Sequence, residues 1–169
     1  MITRIRPTTH SDLSKVMEIY AMARDFMSRV GNTTQWADGY PSTEYIASEI
    51  DAGHSFVCEN QTGELVGTFC FMIGDDPTYE HIYEGKWLNN DPYGTVHRIA
   101  SSGKEKGVAE ACFRWCSMQC GNIRVDTHRD NRVMQQILGR LEFTYCGIIY
   151  LPNGTVRLAY QRLNKIEQD

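Results

Sequence analysis

Gly103 and Gly107 bracket Lys104 and Lys106 in the stretch RIASSGKEKGVAEACFRWC, residues 98–116, where an alternating pattern gives way to a helical apolar period. A turn that leaves a strand and enters a helix presents unpaired backbone N–H groups and the positive end of the helix dipole, which suits an anion and phosphate above all. Glycine lets the backbone approach that anion, and the lysines add charge. The fixed nucleotide signatures do not fit, since there is no GK[ST] ending and no GxGxxG. What stands is Lys104-x-x-Gly107-x-Ala109.

Other residue types with chemistry lie on the neighbouring strands. Thr95, His97 and Ile99 alternate with Val96, Arg98 and Ala100, so a central strand here carries a polar side chain toward each face, and buried polar groups need partners. Arg98 paired with a carboxylate such as Asp126 and His97 as a hydrogen-bonded core histidine would meet that need; functional roles would meet it equally. Arg124, Asp126 and His128 share one face of the next strand, and Ile123, Val125 and Thr127 form the core face. In DTHRDN, Thr127 or Asp130 is expected to cap the following helix, capping being the favoured role of Asp130, with Asn131 serving the turn. The aromatics Trp36, Tyr40, Tyr79, Tyr83, Trp87 and Tyr93 cluster in two irregular segments, where they pack loops or wall a pocket, and Glu80, Glu84 and Asp91 beside them suit a cation. Cys112, Cys116 and Cys120 lie four apart, but structural zinc draws on paired spacings from separate turns, so buried thiols and no metal are expected.

The elements that must position these groups are legible from periodicity. ITRIRP reads as a strand, and Leu13, Val16, Met17, Ile19, Tyr20 and Ala23 mark a helix opened by Ser11 or Asp12 and stopped by Gly31. A short helix capped by Ser42 or Thr43 follows, then HSFVCE and LVGTFCFMI around the turn NQTG. Residues 74–93 show no single period, and loops of that length are often functional. Strand 95–100, helix 107–119 and strand 122–128 form a crossover unit; a helix and the hairpin FTYCGIIYL–PNG–TVRLAYQRL close the chain. The order β-α-α-β-β-β-α-β-α-β-β predicts an α/β fold, a mixed sheet flanked by helices, as one domain over residues 1–169.

Size and charge narrow the classes. A chain of 169 residues can bury a single substantial core. A formal charge of −4 argues against nucleic acid or a membrane surface as a partner recognised through bulk positive charge. No apolar run approaches the ~20 residues of a membrane span, and MITRIRPTTH lacks a signal segment, so a cytoplasmic protein is expected.

The loop Lys104-x-x-Gly107-x-Ala109 resembles the pyrophosphate loop of the GNAT superfamily of acetyl-CoA-dependent N-acetyltransferases, whose pattern is [Gln/Arg]-x-x-Gly-x-[Gly/Ala] between a fourth strand and its helix. The spacing extends the resemblance: the strand IRVDT, then Asn131 opening a helix, then Phe143 starting a strand, with agreement in element order over residues 1 to about 163. Lys104 stands where the family has Gln or Arg, Leu138 where it often has a tyrosine acid, and Glu142 where a glycine is common. The resemblance implies a mostly antiparallel mixed sheet of about six or seven strands with about four helices. It implies acetyl-CoA as cosubstrate, held by His97, Ile99 and Ala100 on the fourth strand, by Lys104, Glu105, Lys106, Gly107, Val108 and Ala109 in the loop, and by Asn131. It further implies a small-molecule or peptide amine as acceptor, walled by Trp36, Tyr83, Glu84 and Trp87, and a possible homodimer.

The reaction so implied is direct attack of a neutral amine on the acetyl thioester. A lysine-like amine has a reference pKa of ~10.4 and a thiol ~8.5, so the attack needs a base and the departing thiolate an acid. His97 or His128 suits the base, with Asp126 or Glu84 acting through water as rivals. Tyr145, following Phe143 near the vacant tyrosine position, is preferred as acid over Tyr150 and Cys146. Two other classes remain: a non-catalytic acyl-CoA- or partner-binding module, and a cysteine hydrolase using Cys146, which lacks a nucleophile signature.

Overall fold

The computed structural model describes residues 1–164. The elements in chain order are β1 (Ile2–Pro7), a 3-10 turn (His10–Asp12), α1 (Leu13–Arg29), α2 (Thr43–Asp51), β2 (Ser55–Asn60), β3 (Leu65–Ile73), a 3-10 turn (Pro77–Tyr79), β4 (Gly94–Ser101), α3 (Val108–Gln119), β5 (Asn122–Thr127), α4 (Arg132–Arg140), β6 (Thr144–Tyr150) and β7 (Val156–Leu163). The strands form one seven-stranded mixed sheet in the order β1-β2-β3-β4-β5-β7-β6. This is the α/β architecture and element order that the periodicity predicts. Contacts gather into two compact units, Met1–Phe71 with His97–Trp115, and Met72–Val96 with the chain from Cys116 onward.

In the first unit, α1 buries Val16, Ile19, Tyr20 and Ala23, the spacing of one helical face, against Ile46 of α2, Val57, Leu65, Cys70 and Ala100. Ser42 caps α2, its Oγ accepting the Tyr45 N–H at 3.1 Å. The β2–β3 hairpin turns on Asn60, whose Oδ1 accepts from the N–H groups of Thr62 and Glu64, and on Gly63 at φ +80°. Trp115 of α3 packs among Phe56, Phe69 and Phe71, with ring centres 4.7, 5.7 and 6.0 Å away.

In the second unit, β4 begins parallel to β5, with Gly94 opposite Ile123 and Thr95 opposite Arg124, while β5–β7 and β7–β6 are antiparallel. The parallel pair follows from the α3 crossover. Residues 74–93 fold onto this unit: Tyr79 and Tyr93 are buried with Ile149 and Ala159, and Ile82 and Trp87 pack against them. Tyr83 exchanges two backbone bonds with Ile148, at 2.9 and 2.8 Å, extending the sheet beyond β6. That approach needs glycine at position 85, where a Cβ would stand 1.9 Å from the Cys146 carbonyl oxygen.

The α4 cap differs from expectation. Asn131 is the N-cap, its Oδ1 accepting the Met134 N–H at 3.0 Å, while the Asp130 carboxylate lies beside His128, Oδ2 3.5 Å from Nδ1. Among the described residues no helix is long and apolar enough to cross a membrane.

Candidate functional site

The glycine-lysine loop lies between Ser101, the last residue of β4, and Val108, the first of α3. Gly103 and Gly107 take φ +81° and +75°, left-handed angles that side chains resist. Ser101 and Ser102 accept the N–H groups of Gly103 and Lys104 on their hydroxyls, at 3.1 and 3.3 Å, and the Ser102 N–H anchors the loop to Val66 O at 3.0 Å. The first helical bond runs from the Ala111 N–H to Gly107 O at 3.0 Å, so the amides of Val108 and Ala109 precede the helical ladder and are available to an anion. The loop can approach β3 because residue 67 is glycine: a Cβ there would meet Val108 Cγ1 at 2.5 Å.

The charged side chains of the loop have protein partners. Lys104 Nζ lies 2.5 Å from Glu64 Oε1, and the Met1 ammonium 2.7 Å from Glu105 Oε2. Lys104 holds the Glu64 carboxyl below its usual range through that bond. Both pairs are at the surface, where salt screens them and an incoming anion can displace the carboxylate. Lys106 is exposed.

On β4, His97, Arg98 and Ile99 are half-buried and Ala100 is buried. Simple alternation ends at Arg98, whose φ is +55°. The carboxylate beside Arg98 is Glu49, with Nη1 3.9 Å from Oε2, in place of the expected Asp126; its Nε donates to Tyr40 Oη at 2.7 Å, and Nη2 donates to Tyr45 Oη. Trp36, predicted to wall a pocket, stands edge-on to Tyr20 at 5.6 Å and packs on the core of this unit.

The second unit brings together Asp126 and His128 at the end of β5, with Tyr79 and Arg157. The Tyr79 hydroxyl donates to Asp126 Oδ1 at 2.5 Å, and Arg157 Nη1 lies 4.0 Å from Asp126 Oδ2. Burial and then the Asp126 charge push the Tyr79 phenol well above its ordinary range, so it remains a donor. His128 is buried, and its Nδ1 accepts the Asp130 N–H, which leaves the hydrogen of the neutral ring on Nε2. Burial, then the Arg157 charge, lowers its pKa, while Asp130, 3.5 Å from Nδ1, pulls the other way.

The remaining predicted residues are dispersed over this unit. Tyr145 is half-exposed on β6, edge-on to Tyr160 at 5.6 Å. Tyr83 is exposed, edge-on to Tyr150 at 5.2 Å, and Glu84 is exposed at φ +56°. Trp87 donates its indole N–H to Tyr79 O at 3.0 Å and stacks over the Arg124 guanidinium at 4.2 Å, so it has a packing task. Tyr79 and Tyr45 were not singled out by the sequence as partners of charged strand residues; they lie 47 and 53 positions from Asp126 and Arg98, and no local pattern encodes such distances. Among the described residues no group of three or more His, Cys, Asp or Glu side chains is arranged to hold a metal.

Among solved structures, the chain is similar to an acetyltransferase of the GNAT family from Streptococcus agalactiae 2603, at 33% identity and a TM-score of 0.86, over 96% of this chain and 95% of that one. It shares its fold with a GNAT-family acetyltransferase from Listeria monocytogenes 4b F2365, at 21% identity and a TM-score of 0.70, over 95% and 94% of the two chains. The same fold occurs in a phosphinothricin acetyltransferase of the GNAT superfamily from Sinorhizobium meliloti, solved in complex with AcCoA, at 14% identity and a TM-score of 0.64 over 100% of this chain and 92% of that one. No protein-family model and no curated protein matches the sequence.

Proposed function

Since the chain belongs to the GNAT family of acetyltransferases, we propose that it is an acetyl-CoA-dependent N-acetyltransferase that acts on a primary amine of a small molecule or peptide by direct attack. The observation that carries this reading is the loop from Ser101 to Val108. Two left-handed glycines and the amides of Val108 and Ala109 at the start of α3 suit a diphosphate. Lys104 and Lys106 supply charge, and Glu105 contributes its backbone N–H. His97, Ile99 and Ala100 offer β4 backbone to the pantetheine arm, and Asn131, whose Oδ1 caps α4, stands at the start of that helix as a further contact for the arm.

The acid–base roles follow from which atoms hold hydrogens. His128 accepts on Nδ1 and presents an Nε2–H, so it is a donor before it is a base. Asp126 already accepts from Tyr79 and faces Arg157, an arrangement that holds a carboxylate in place. His97 is therefore our choice for the base over His128 and Asp126, and Tyr145 our choice for the acid toward the thiolate. Of the residues named for the acceptor pocket, Trp36 and Trp87 have packing partners, and the exposed Glu84 has the charge to meet an amine.

Two measurements test this. Calorimetry with acetyl-CoA should show saturable binding, and release of free thiol should require an amine; no heat at high micromolar coenzyme and no amine-dependent thiol would overturn the assignment. In pH–rate profiles, His97→Ala should lower kcat by ~10²–10⁴-fold. Full turnover with the wild-type profile would remove His97 as base.

A further inference from the structure

Arg98 has no part in the acid–base scheme, yet it holds φ +55° inside β4. A left-handed angle at a residue with a Cβ persists only where the surroundings over-determine it, and such residues gather at functional sites. The Arg98 guanidinium is held by two phenols. Nε of Arg98 donates to Tyr40 Oη at 2.7 Å, Nη2 donates to Tyr45 Oη, and the guanidinium carbon lies 4.5 Å from the centre of the Tyr45 ring. Tyr45 stands in the first turn of α2, and the Tyr40 carbonyl accepts from Arg24 Nη1 at 3.2 Å, so both rings are anchored through their backbones.

Each hydroxyl accepts from Arg98, so its own O–H points elsewhere. Among the described residues, neither hydroxyl donates to a protein acceptor. Both residues are more than a third exposed, at 39% and 38%. Burial, against the opposing pull of Arg98, raises the Tyr45 phenol above its usual range, so it is a donor at neutral pH. Two O–H donors hung on neighbouring nitrogens of one planar cation match the two oxygens of a carboxylate. A cationic group would meet two O–H hydrogens backed by a guanidinium. The nearby Glu49 carboxylate is drawn between Arg98 at 3.9 Å and His54 Nδ1 at 3.6 Å.

We propose that Tyr40 and Tyr45, held by Arg98, bind a carboxylate of the acceptor, so that the preferred amines are amino acids or similar amino carboxylates. This rests on the acetyl-transfer reading above and names its substrate class. Arg98 is a positioning residue, and the tyrosines set specificity.

The test compares matched amines that differ by a carboxylate: L-lysine with cadaverine, L-phenylalanine with phenethylamine, and β-alanine with ethylamine. Thiol release should show kcat/KM at least ~10-fold higher for the carboxylated member, the order expected for a hydrogen bond to a charged group. Tyr40→Phe and Tyr45→Phe should each reduce that ratio ~10-fold, through KM more than kcat. Equal rates within each pair, or a ratio indifferent to both substitutions, would overturn the proposal. A titration of ¹³C-tyrosine-labelled wild-type protein followed by NMR decides without turnover or variants. The Tyr40 and Tyr45 Cζ resonances should move with L-lysine and not with cadaverine, and no movement at tens of millimolar overturns the proposal. Absence of thiol release from every amine would instead sink the transferase reading, leaving the titration to decide the carboxylate site.

Discussion

The Tyr79 hydroxyl, 2.5 Å from Asp126 Oδ1 on a ring that is 1% exposed, cannot touch a substrate and can act only through that carboxylate. Tyr79→Phe keeps the ring in its contact with Trp87 and removes one donor from a charged acceptor, so it should cost about 1.5–3 kcal/mol of stability in urea denaturation. A change below about 0.5 kcal/mol would show that Asp126 is held by other groups. Asp126 and His128 were legible in the sequence because they alternate on a strand with an apolar opposite face. Tyr79 was visible only as one aromatic of several. Its partner is fixed by the fold of a segment without a period, so residue type marked the chemistry while the pairing had to come from three dimensions.

At the scale of elements, the loop before α3 owes its position to an absent side chain on β3. Gly67→Ala would place a Cβ 2.5 Å from Val108 Cγ1 and 3.4 Å from Ala100 O. Val108 opens α3, so relief of that clash shifts the Val108 side chain or the helix end whose amides are proposed to hold the anion. We expect Gly67→Ala to lower stability by about 1–3 kcal/mol, the usual range for overpacking, and to weaken acetyl-CoA binding at the same time. Lost stability with unaltered coenzyme affinity, read by calorimetry, would separate the helix end from the site. The elements themselves were readable: each regular strand and helix carries its own period, and α3 begins one residue after Gly107, the glycine that marks its start. Residues 74–93 were not readable because their order rests on distant bonds, such as those of Tyr83 to Ile148 and of the Leu88 N–H to Gln161 Oε1 at 2.8 Å. Residue type alone placed the α4 cap one residue early because Asp and Asn both cap well, whereas the resemblance had Asn131 opening the helix, as the structure does.

For the whole molecule, acid stability should reflect the cluster in which Arg6 of β1 meets Asp12 at 2.7 Å and Glu59 of β2 at 2.6 Å. The hydrogen bond from Arg6, opposed by burial and aided by Thr9, lowers the Asp12 carboxyl from 3.8 to about 2. A depressed carboxyl contributes stability that is present above its unfolded value and lost as pH falls through the folded one. The stability difference between wild type and Asp12→Asn should therefore be greatest near neutrality and shrink from about pH 4 toward pH 2, as followed by denaturant titration at each pH. A difference that is constant over that window would remove Asp12 from the acid transition. The fold as a whole was legible because eleven alternating and helical segments in one order leave few topologies, whereas the acceptor class we propose rests on Arg98 and two tyrosines more than fifty residues away. The central claim, that backbone donors of the Ser101–Val108 turn and the first residues of α3 hold the coenzyme diphosphate, is tested most directly by backbone amide NMR during an acetyl-CoA titration. The Glu105 to Ala109 amides should shift together, in proportion to saturation. Saturable binding that leaves those amides where they were would contradict it.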